Sequence, residues 1–103
     1  MDLKSIEQQW LAHEAKPFPT GHRAKIIAGQ NLTLLHSETA GYILSFLQTN
    51  GSLGSRQRIA LEQCLGQLNA INEELDEEAS RYFQELNSIA QEVFNSAHDQ
   101  PTF

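Results

Sequence analysis

Four histidines, His13, His22, His36 and His98, are the residues of this chain best suited to holding a metal or moving a proton. Chelation from one helix needs ligands three or four residues apart, where side chains share a face. Three residues before the histidines stand Trp10, Pro19, Thr33 and Asn95; four residues after stand Pro17, Ile26, Ala40 and Thr102. Neither Glu-x-x-His nor His-Glu-x-x-His occurs, so only residues from different helices could assemble a site. No metal and no cofactor is expected.

The nucleophiles lack a setting. Cys64 lies in an apolar stretch, where burial raises a thiol pKa and makes it inert. No serine sits in Gly-x-Ser-x-Gly. Gly51-Ser52-Leu53-Gly54-Ser55 lacks the Gly-Lys-[Ser/Thr] ending of a phosphate loop and reads as a turn. Thr20-Gly21-His22-Arg23-Ala24-Lys25 is the one segment with ligand potential. Placed at a helix start, His22, Arg23 and Lys25 would set cations beside free N–H groups, an arrangement that suits an anion. His36 belongs to the same small-molecule reading.

Charge and composition bound the rest. A net charge of −6 argues against a nucleic-acid partner, whose affinity is largely cationic counterion release. No run of about 18 apolar residues is present, so no membrane span is expected. The segment from Met1 to Trp10 has no signal-peptide core, and one cysteine fits a reducing compartment, so the expected location is cytoplasmic. Residues 15–37 carry Lys16, Arg23 and Lys25 and no acid, whereas residues 62–99 are strongly acidic. Pairing of Arg23 and Lys25 with the Glu73–Glu78 run is the simplest outcome; an acidic surface for a basic partner is the other.

The elements that must carry these residues are helices. Leu61, Leu68, Leu75, Tyr82 and Ile89 repeat every seven residues, and Leu65, Asn72, Ala79, Leu86 and Val93 repeat four residues later. This is an a/d seam, and it predicts one long helix over residues 55–97, with polar Asn72 at an a position where it could select register. A first helix over 2–15 carries Leu3, Ile6, Trp10 and His13 at spacings of 3, 4 and 3. Lys16-Pro17-Phe18-Pro19 ends it, with Phe18 as an anchor. A second helix over 22–49 follows, with a kink or break expected at Gly29 and a close approach at Gly41.

Leu32-Thr33-Leu34-Leu35, Thr39-Ala40-Gly41-Tyr42-Ile43, Arg58, Cys64 and Leu65 give residues 18–90 a pattern that resembles small uncharacterised bacterial all-helical proteins. That resemblance implies an all-α fold and transfers no functional residue.

The expected architecture is therefore a single all-α domain, an elongated antiparallel helical hairpin with a short N-terminal helix. Cys64, Ile71, Phe83 and Ala90 widen the seam, and a long third helix would outrun its partner through Val93. A homodimer is the expected completion, with Trp10, Tyr42 and Phe46 as further interface anchors. The expected role is protein–protein interaction or oligomerisation without catalysis. The rival reading is anion or small-molecule binding at residues 20–25.

Overall fold

The computed structural model describes residues 3–19, 21 and 25–99. Four helices form an all-α bundle: α1 (Leu3–Glu14), α2 (Leu32–Gln48), α3 (Ser55–Asn72) and α4 (Glu77–Ser96). Four two-residue strands decorate the connections: β1 (Ile26–Ile27), β2 (Gln30–Asn31), β3 (Ser52–Leu53) and β4 (His98–Asp99). The whole measures 43 × 26 × 18 Å.

Helix α1 ends where Lys16-Pro17 requires it. It buries Ile6, Trp10 and His13. Phe18 then packs edge-on against Phe83, with ring centroids 5.8 Å apart, and so pins the connection as its position between two prolines predicts.

The second helix starts ten residues later than the predicted 22–49. Ala28 (φ 50°) and Gly29 (φ 78°) both take left-handed backbone, which a helix cannot contain. They turn β1 back onto β2, with Ile27 opposite Gln30. Asn31 then caps α2, its side-chain oxygen accepting from the Leu34 N–H at 3.0 Å. The expected break at Gly29 is thus a full reversal of the chain.

The predicted long helix over 55–97 is two helices. Residues 73–78 contain five acids, and negative charge opposes a helix C-terminus while favouring an N-terminus. Asp76 is extended, and its carboxylate accepts from the Ala79 N–H at 2.9 Å; Glu77 and Glu78 fill the first turn of α4. The heptad stripe therefore folds back on itself. Leu61, Leu65 and Leu68 of α3 share one core with Leu86, Ile89 and Val93 of α4. The overhang expected through Val93 does not exist.

Asn72, the last residue of α3, closes this hairpin within the chain. Its Oδ1 accepts from Ser80 Oγ at 2.8 Å and Gln84 Nε2 at 3.2 Å. The opposite end is clasped by β3 and β4, which run parallel and pair Ser52 with His98. Gly51 (φ 103°) allows this approach, and its carbonyl accepts from the His98 N–H at 2.9 Å. Arg58 donates to the carbonyls of Phe94 and Ala97, satisfying the end of α4. Residues 98–99, just beyond the predicted helix, are held as a strand.

Candidate functional site

The most concentrated polar chemistry lies where α1, α2 and α4 meet. His13 is fully buried on the core stripe of α1. Its Nδ1 lies 2.6 Å from Glu85 Oε1 of α4. Its Nε2 lies 3.3 Å from Nε2 of His36 on α2. The Tyr82 hydroxyl reaches that same His36 nitrogen at 3.1 Å. On the outer side, Lys16 Nζ contacts Glu85 Oε2 at 2.6 Å.

A buried imidazole beside a carboxylate donates Nδ1–H to it, which leaves Nε2 to face the second histidine. Aromatic rings enclose the pair. Tyr82 lies 4.4 Å from the His13 ring, Trp10 lies 5.8 Å from it, and Phe18 lies 5.8 Å from His36. Lys16 and, less strongly, His13 hold the Glu85 carboxyl below its usual range by hydrogen bonding and charge, against the opposing pull of partial burial. Glu85 thus remains an anion that can face an imidazolium.

An open cleft of about 620 Å³ adjoins this cluster, lined by Lys16, Pro17, Pro19, Glu77, Glu78, Arg81, Tyr82 and Glu85. Its cations are engaged, Lys16 with Glu85 and Arg81 with Glu77. A second groove, of about 420 Å³, runs between α1 and α2. Glu7, Trp10, Leu11 and Glu14 form one wall and Leu44, Leu47 and Gln48 the other. Leu11 is 57% exposed and Leu44 38% exposed. Trp10 is 4% exposed, and its indole N–H is buried without an acceptor among the described residues.

The residues named from the sequence are scattered. His22 and Arg23, with Thr20 and Ala24, lie outside the described residues. Lys25 is exposed, and the N-terminus of α2 lies seven residues beyond it, already capped by Asn31. Cys64, Ile71, Phe83, Ala90, Val93, Trp10 and Phe46 are all buried by the chain itself, and Tyr42 alone of the interface candidates is half-buried. Burial pushes the Cys64 thiol up, as its apolar setting predicts.

The His13–His36 pair escapes a search by helical spacing because its members lie 23 residues apart on different helices. One signal was present: His13 is a polar residue at a core position of the α1 stripe. No group of three or more His, Cys, Asp or Glu side chains is placed to hold a metal among the described residues. No helix among them is long and apolar enough to cross a membrane. Comparison with protein-family models, curated proteins and solved structures finds no match.

Proposed function

We propose that this chain is a helical docking module that binds an amphipathic helix with basic flanks in the groove between α1 and α2. The observation that carries this reading is the groove's composition. Two exposed leucines, Leu11 and Leu44, flank Trp10, and among the described residues the only charges on the walls are Glu7 and Glu14. Tryptophan is enriched in binding hot spots, and an apolar groove between two helices is a seat for the apolar face of a third. The acidic walls select a basic partner and disfavour a second copy, which would bring the same glutamates against them.

Trp10 is the only tryptophan, so its emission reports on the groove. The test is titration with a Leu/Lys amphipathic peptide of about four helical turns and with its Leu/Glu counterpart. A saturable Trp10 shift with the Leu/Lys peptide alone is expected. It should be lost in a Leu11→Ser, Leu44→Ser variant and transferred to the Leu/Glu peptide by Glu7→Lys with Glu14→Lys. Equal response to both peptides, or to neither, overturns the reading. So does light scattering that shows a dimer disrupted by Leu11→Ser, which would assign the groove to a second copy.

A further inference from the structure

Resting on the docking role of the α1–α2 groove, we infer that the partner helix carries its cations on one flank only, two of them seven residues apart, and meets Glu7 and Glu14 with both at once. The two walls of the groove differ in charge. Glu7, Leu11 and Glu14 stand at i, i+4 and i+7 of α1, so an exposed leucine lies between two exposed carboxylates on one face. The α2 wall is Leu44, Leu47 and Gln48, none of them charged. Glu38, the one Asp, Glu, Lys or Arg of α2, lies six residues before Leu44 and outside the groove.

Carboxylates of α4 are engaged within the chain, Glu85 by Lys16, Glu77 by Arg81 and Glu92 by Gln9. Among the described residues no hydrogen bond or ion pair engages Glu7 or Glu14. They are therefore available to cations from outside.

Spacing follows from helix geometry. Seven residues advance a helix by about 10.5 Å and complete close to two turns. A second helix lying along the groove has the same rise, so cations seven apart on its α1 side match both carboxylates. A crossing angle of about 20° shortens that projection by less than about 1 Å. The other flank of the partner rests on the α2 wall, where a cation meets no counter-charge. A helix can lie either way round in the groove, and the flank that bears the cations fixes which way it lies.

Two labelled peptides of about four turns, followed by fluorescence anisotropy with the intact chain, test this. Each has leucines on its apolar face, two lysines, and glutamine elsewhere. One places both lysines on one flank, seven apart; the other places one lysine on each flank and reaches a single glutamate whichever way it lies. An exposed ion pair is worth roughly threefold in affinity, so the one-flank peptide should bind about threefold more tightly. Glu7→Gln with Glu14→Gln should weaken it about tenfold and bring the two peptides level, and 1 M salt should do the same. Both glutamates are exposed, so neutralising them spares the core. Equal affinities for the wild type, or a preference that survives the double substitution, overturns the inference and leaves the groove as a docking site. Failure of both peptides to bind also overturns it, and the Leu/Lys peptide with basic flanks then shows whether the docking reading falls with it.

Discussion

At the scale of single residues, the structure separates side chains that share a type. His13 and His36 face each other at 3.3 Å in an aromatic enclosure, whereas His98 lies in a two-residue strand. The chain makes this division partly visible. Core placement of His13 can be read from Leu3, Ile6 and Trp10 before it, because helical periodicity is local. Its partnership with His36 and Glu85 depends on how three helices cross, which periodicity does not encode. Cys64 is the opposite case, because an apolar neighbourhood is enough to foretell burial and a raised thiol pKa. With a disulfide reagent at pH 8, native Cys64 should react on the order of a hundredfold more slowly than in denaturant, its rate following opening of the fold. Equal rates in the two states would show an accessible thiol.

At the scale of elements, the division between α3 and α4 decides the architecture. The heptad stripe is continuous across residues 61–93, and hydrophobic spacing alone cannot see a break that preserves the inward face on both sides. The electrostatic signal was present in Glu73-Glu74-Leu75-Asp76-Glu77-Glu78, a run that disfavours one helix end and caps the next start. Asp76→Ala should destabilise the protein by about 1 kcal/mol, while Asp76→Asn, which keeps the acceptor, should cost much less. Urea unfolding with unchanged m-value is the check. The start of α2 shows a related effect, since Ala28 and Gly29 in left-handed backbone override an apolar pattern that runs through them.

At the scale of the whole molecule, the all-α class is legible because every long apolar pattern in the chain has helical period. Helix count and the fate of the apolar residues are not, because both turn on where the chain reverses. Folding α4 back onto α3 encloses Phe83, Ala90 and Val93, which a single long helix would have left for a partner. The bundle also divides into near and distant contacts. A four-residue connection joins α3 to α4, while α1 reaches α4 through His13 to Glu85, 72 residues away, and Gln9 to Glu92, 83 residues away. Local hairpins form sooner than contacts that must close long loops. Ile6→Val should therefore speed unfolding roughly 2- to 10-fold and leave the folding rate nearly unchanged; slowed folding would place α1 in the nucleus. During synthesis, α1 emerges before the other helices, and its contacts with α4 must wait until Glu85 and Glu92 follow. Until then the nascent chain must keep Leu3, Ile6 and Trp10 from pairing with anything else.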